Sequence, residues 1–153
     1  MKLALACDHA GYTLKAHLAD YLRGHGHDIL DLGVDSADTP ADYPDSAAAL
    51  ANAIRRGQAE RGVLICGSGV GASIAANKFD GIYAAVCHDT YSARQGVEHD
   101  NMNVLALGAR VIGVNVAETL VMAFIDGRFS NAERHRRRFG KVQQLESQLR
   151  TGE

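Results

Sequence analysis

No apolar run in the chain approaches the ~18 residues that a membrane-spanning helix needs, which sets membrane insertion aside. There are only three cysteines, an odd number that does not make a disulfide framework and fits a reducing cytosol. Net charge is nearly absent as well. With 16 Lys and Arg against 18 Asp and Glu, the formal balance of −2 argues against a nucleic-acid-binding protein. The opening "MKLALACDHAG" is too short in its apolar part for a secretory signal, because Asp8 and His9 interrupt it. It reads as a first strand, and a cytoplasmic protein is expected. The remainder is ordinary soluble composition, 46% hydrophobic and 22% charged, and 153 residues fit one compact domain over 1–153.

Short apolar runs alternate with segments of helical period. "KLALAC" reads as a strand, followed by a helix with Leu14, Leu18, Tyr21 and Leu22 on one face that the glycines at 24 and 26 stop. "DILDLG" is a second strand, and "DSAAALANAIRRG" a helix with Asp45 or Ser46 as N-cap. "GVLIC" is a third strand, feeding a glycine loop and a short helix through Ala76. "IYAAVC" and "NVLALG" are the fourth and fifth. Val116, Leu120, Ala123 and Phe124 mark a helix over 114–126, and a last helix near 134–150 carries Phe139, Val142, Leu145 and Leu149. Such alternation implies βαβ crossovers, hence a three-layer α/β sandwich around a five-stranded, mostly parallel, doubly wound Rossmann- or flavodoxin-like sheet with a C-terminal helix.

In such sheets ligands bind beyond the carboxyl ends of the strands. There the sequence places Cys7-Asp8-His9, Cys66-Gly67-Ser68, Cys87-His88-Asp89 and Gly108-Ala109-Arg110. Glycines 67, 69 and 71 can bring amide N–H groups toward an anion, although the spacing matches neither a Walker motif nor the dinucleotide pattern. Cys66 at that loop reads either as a reactive thiol or as a small buried hydrophobe. Cys7 and Cys87, without a comparable loop, read as buried, and none of the cysteines and histidines has structural-zinc spacing. "RHRRR" puts positive charge at the start of a helix, where the macrodipole opposes it and a bound phosphate would compensate. Arg134 and Arg138, four apart, share a helix face; Arg136 and Arg137 point elsewhere and read as a solvated surface run or a weak polyanion patch.

Together, "CDHAG", "DYP", "CGSGVGASIAANK", "EHDNMNVLALGARV" and "ERHRRR" resemble the ribose-5-phosphate isomerase B family, whose relatives include galactose-6-phosphate and allose-6-phosphate isomerases. The resemblance runs from Lys2 to about Gln144. It implies a metal-free, cofactor-free aldose–ketose isomerase acting on ribose 5-phosphate and ribulose 5-phosphate. Cys66 would move a proton between C1 and C2, and Ala72, where another branch carries glutamate, assigns the chain to the cysteine type. His99 would open the furanose ring, and histidine's free pKa near ~6.5 suits that exchange. Asp8, His9, Tyr43 and the loop Gly67, Ser68, Gly69, Val70 and Gly71 would contact the sugar, with Ser68 relaying protons between its oxygens and the loop amides stabilising an enediolate. Arg110, Arg134 and Arg138 would bind phosphate. The family's sites are assembled across a dimer interface, so a homodimer or homotetramer is expected.

One position departs from that pattern. Asp100 follows His99 where many relatives have asparagine, and an ionised carboxylate only accepts hydrogen bonds. Substrate-binding Asp100 therefore implies tuned ring opening or a shifted sugar, a hexose or tetrose phosphate. A rival of another class is a non-catalytic phosphate-ligand sensor, which would need the glycine loop and arginines but not the thiol.

Overall fold

A computed structural model describes residues 1–152. Chain order is β1 (Lys2–Cys7), a 3₁₀ turn (His9–Gly11), α1 (Tyr12–Gly24), β2 (Asp28–Asp31), α2 (Tyr43–Arg55), β3 (Arg61–Cys66), α3 (Val70–Ala76), β4 (Ala84–Val86), α4 (Thr90–Asp100), β5 (Val104–Gly108), α5 (Val114–Asp126) and α6 (Glu133–Thr151). All strand pairs are parallel, in the order β2-β1-β3-β5-β4. The expected α/β sandwich with its five-stranded sheet and C-terminal helix is what forms. It departs from a flavodoxin sheet only in the exchange of the last two strands.

The period of two along the strands divides the core. Leu3, Leu5, Cys7, Val63, Ile65, Leu105 and Leu107 face one layer, where Leu18 and Leu22 of α1 and Leu120, Val121 and Phe124 of α5 meet them. Ala4, Ala6, Leu64 and Cys66 face the other, against Ala47, Leu50 and Ala51 of α2 and Ala72 and Ala76 of α3. Small residues on that second face let α2 approach closely. A Cβ on Gly62 would lie 2.6 Å from Leu50 Cδ2. The chain leaves β1 toward β2 on one side and β3 on the other, so a crevice opens beyond Cys7 and Cys66.

Several elements differ from the sequence reading. α2 begins at Tyr43 behind Asp42, with Pro44 in its first turn, rather than at Asp45 or Ser46. Proline is favoured there because its missing N–H would have no helical partner. Ser46, inside the helix, is buried and donates to the Cys7 carbonyl at 2.7 Å. β2 ends at Asp31 because Gly33, at φ 85°, turns the chain so close to Cys7 that a Cβ would sit 2.6 Å from its carbonyl oxygen. Helix α4 has no counterpart in the sequence reading: its polar stretch "TYSARQGVEHD" buries only Ala93 and Val97. Val116 points outward from α5, whose inner face is Ala117, Leu120, Val121 and Phe124. On α6, Val142, Leu145 and Leu149 are 47%, 61% and 85% exposed. The apolar stripe is real, and none of the described residues covers it.

Candidate active site

Cys66 ends β3, 4% exposed, with its sulfur accepting from the Gly69 amide at 3.1 Å. That contact holds the side chain toward the loop, and sulfur keeps the acceptor role if its proton leaves. Gly69 sits at φ 81°, a conformation costly for other residues, and a Cβ there would lie 3.0 Å from the Leu107 carbonyl carbon. The loop is therefore pressed against the end of β5, where Arg110 N donates to Gly67 O at 3.0 Å. Val70, the exposed first residue of α3, gives its amide to Ser68 Oγ at 3.2 Å. Among the described residues the amides of Gly67, Ser68 and Gly71 have no hydrogen-bond partner. These are the donors a developing negative oxygen requires.

Around the thiol lies a cleft of about 390 Å³ lined by Asp8, Tyr43, Cys66, Gly67, Ser68, Gly71, Arg110 and Val111. Tyr43 covers the start of α3 so closely that a Cβ on Gly71 would fall 2.8 Å from its Cζ. Asp8 is buried and accepts from Gly11 N at 3.2 Å, capping the 3₁₀ turn. His9 follows it. The Ala41 amide donates to His9 Nδ1 at 3.2 Å, which leaves the proton of the neutral ring on Nε2.

The remaining residues from the sequence reading form a second cluster. His99 is on the last turn of α4, not in a loop, and lines a separate hollow with Tyr91, Arg94, Gln95 and Glu98. Gln95 Nε2 donates to His99 Nδ1 at 2.9 Å, so the neutral His99 ring also carries its proton on Nε2. Asp100 borders another groove, with Gln95, Cys87 and Met102. Arg134 and Arg138 stand exposed on the first two turns of α6, and among the described residues neither is in an ion pair. Arg137 reaches Glu133 at 2.8 Å instead.

Three features escaped the sequence reading. His135 is 4% exposed and stacks on His99 with ring centroids 4.0 Å apart; its place between Arg134 and Arg138, against His99, emerges only once α4 is known. Val111 lines the cleft with no polar signature. Lys15, in a run read for its leucines, is buried. Burial pushes the Cys7 and Cys87 thiols up to about 11, with Asp8 and Asp31 adding to the first and Asp89 to the second, while Lys15 opposes at Cys7. Both are core residues, as the sequence suggests. His135 is held below the ordinary histidine value, first by burial and then by His99, Arg134 and Arg138, with Asp100 opposing.

The family model described as Ribose/Galactose Isomerase matches residues 3–142. Ribose-5-phosphate isomerase B of Escherichia coli is 41% identical over 145 residues, 95% of this chain and 96% of that one. D-erythrulose-4-phosphate isomerase of Pectobacterium atrosepticum is 43% identical over 129 residues, 84% of this chain and 85% of its own. The solved ribose-5-phosphate isomerase B of Clostridium thermocellum superposes with a TM-score of 0.94 at 42% identity, covering 97% of this chain and 99% of that one. With a matching model over nearly its whole length, and a thiol, a glycine loop and an arginine converging at the switch point of its sheet, the chain belongs to the ribose/galactose isomerase family.

Proposed function

We propose that the chain is a cysteine-type aldose–ketose isomerase that interconverts D-ribose 5-phosphate and D-ribulose 5-phosphate in the cytoplasm. The observation that carries the reading is Cys66 Sγ at the edge of a cleft beside the unpartnered amides of Gly67, Ser68 and Gly71. In the open-chain aldose the Cys66 thiolate takes the proton from C2, and the electron pair moves through C1–C2 onto O1. The enediolate is stabilised by the loop amides, as general-base chemistry on a weakly acidic C–H demands. The thiol then returns a proton to C1 while Ser68 passes the O2 proton to O1, leaving a ketone at C2. Asp8, His9 and Tyr43 hold sugar hydroxyls, and Val70 sets the entrance to α3.

Ring opening and phosphate binding fall to the second cluster: His99 protonates the ring oxygen as the C1–O4 bond breaks and the O1 hydroxyl loses its proton to water, leaving the C1 aldehyde; Asp100 accepts from a sugar hydroxyl, and Arg134 and Arg138 join Arg110 on the phosphate. Because that cluster lines a different hollow from Cys66, a second copy of the chain in a homodimer or homotetramer completes each site. The uncovered Val142, Leu145 and Leu149 supply apolar surface for such an assembly.

A tetrose phosphate is the second reading, favoured by the D-erythrulose-4-phosphate isomerase relative. Deuterium exchange at C2 of ribose 5-phosphate in heavy water, followed by NMR, tests both. We expect exchange with native protein and a loss of about 10³-fold in Cys66→Ala with ligand binding retained, the scale of a missing general base. Retained turnover in Cys66→Ala would refute the mechanism. Turnover of erythrose 4-phosphate above that of ribose 5-phosphate, reversed in Asp100→Asn, would establish the tetrose reading.

A further inference from the structure

We propose that His135 is a positioning residue for His99: stacked on it and tied through Ser130 to α4, it fixes the orientation in which the His99 Nε2 proton meets the ring oxygen of a cyclic sugar phosphate. The inference rests on the ring-opening role of His99 in the reading above.

The geometry forms a closed circuit. The Ser130 amide donates to the Glu98 carbonyl at 3.0 Å, anchoring the segment before α6 to the last turn of α4. Ser130 Oγ shares a hydrogen bond with His135 Nδ1, and the same hydroxyl oxygen accepts from the Ala132 amide at 3.2 Å. The His135 ring, 24° from parallel, lies against His99. His99 is the residue after Glu98, where the circuit closes. Gln95 fixes His99 at Nδ1 and His135 fixes its face, so rotation about both side-chain bonds is blocked and only Nε2 is left to act.

Exposed His25 also has Nδ1 held, by the Tyr21 carbonyl at 2.8 Å, and lies 4.4 Å from the Tyr21 ring of its own helix. His99 differs in that its ring partner is a buried histidine on another helix, itself held by Ser130. The groups facing His135 are His99 and Asp100 from α4, Arg134 and Arg138 on its own helix, and the Ser130 hydroxyl. Burial first, then His99, Arg134 and Arg138, hold His135 below the ordinary histidine value, which favours the uncharged ring as the stacking face for His99. General acid–base transfer tolerates small misplacement poorly.

The test uses the fact that ribulose 5-phosphate is open-chain: its C5 oxygen is esterified, so no furanose ring exists to be opened. Deuterium wash-in at C1 of ribulose 5-phosphate therefore reports Cys66 chemistry alone, whereas conversion of ribose 5-phosphate also needs ring opening. We expect His135→Ala to slow ribose 5-phosphate conversion about tenfold while wash-in stays within about twofold of native, and His135→Phe, which keeps a ring face, to recover most of the loss. Ser130→Ala, which frees the His135 ring, should show the same split at about threefold, and it carries the test if His135→Ala fails to fold. An equal loss in both assays, or none in either, would overturn the proposal by reducing His135 to packing. His99→Ala run alongside separates the failures. If it shows the split and the His135 and Ser130 variants do not, the positioning role is wrong; if it shows no split, the role of His99 is wrong and the inference falls with it.

Discussion

The thiol cleft and the histidine–arginine cluster are built in opposite ways. Around Cys66 the working groups are backbone amides held by close approach: Gly69 against Leu107, Gly71 under Tyr43, Gly67 bonded to Arg110. The cluster on α4 and α6 is made of long side chains on exposed helix faces, and only its His99–His135 core is locked. A transition state that develops charge over a fraction of an ångström calls for the first construction, because preorganised donors do not reorganise during reaction. A phosphate remote from the reacting carbons needs charge and reach, which arginine supplies. On the proposed function, the fold completes the thiol half of the site within one chain and holds the phosphate-binding half on its surface.

The largest expected effect addresses that division. Cys66→Ala and Arg138→Ala proteins, each inactive or nearly so, should regain about a quarter of native activity when co-expressed. Half of randomly paired dimers would be mixed, and each would hold one intact site out of two in a symmetric dimer. Separation of mixed dimers by differently tagged copies, followed by turnover, measures it. No recovery would mean that Cys66 and Arg138 serve the same site from the same chain, and the two-region comparison would then describe one folded pocket.

A smaller effect separates the regions by stability. Lys15 is 2% exposed, reaches Asp31 at 2.6 Å, and donates to the carbonyls of Leu32 and Val34 at 2.8 and 2.9 Å. It fixes the start of the segment that leads to Ala41, the donor to His9, and to Tyr43. Lys15→Met removes three charge-assisted bonds. Since Asp31 is 45% exposed and recovers water, the cost is about 2 kcal/mol rather than the larger penalty of a fully buried pair. Thermal unfolding should fall by roughly 5 °C, whereas Arg138→Ala should leave it unchanged. Equal shifts in both variants would remove the distinction between a built cleft and a surface cluster.

The cleft was readable in the sequence and the cluster only partly. Strand ends announce themselves through period-two leucines and valines, and glycine at 67, 69 and 71 marks a loop under steric demand, so Cys66, Ser68 and Asp8 fall where expected. Helix α4 hides because only Ala93 and Val97 are buried, too few for an apolar period to emerge from "TYSARQGVEHD". With α4 hidden, nothing in the sequence sets His99 opposite His135, which stands inside the basic run "RHRRR". The stripe Val142, Leu145 and Leu149 was legible as periodicity but says nothing of what it meets. The family pattern brought His99, Arg134 and Arg138 into the reading, but α4 and the contact of His99 with His135 depend on packing between distant segments, which local periodicity does not encode.

The smallest effect concerns the thiols outside the cleft. Burial first, then nearby carboxylates, raises Cys7 and Cys87 from 9.0 to about 11. A thiol raised in the folded state binds its proton there at pH values where the unfolded chain has released it. The stabilisation is fully present below pH 9, where both states are protonated, and is lost as pH rises toward 11. Thermal unfolding followed from pH 8 to pH 11 should therefore show a decline that is shallower in Cys87→Ala than in native protein, and shallower again when Cys7→Ala is added. Isomerase activity at pH 8 should survive Cys87→Ala, because that sulfur lies outside the 390 Å³ cleft. An unchanged pH slope in both variants would show that these thiols do not contribute to alkaline unfolding, and loss of activity in Cys87→Ala with an unchanged unfolding temperature would show that Cys66 is not the sole working sulfur.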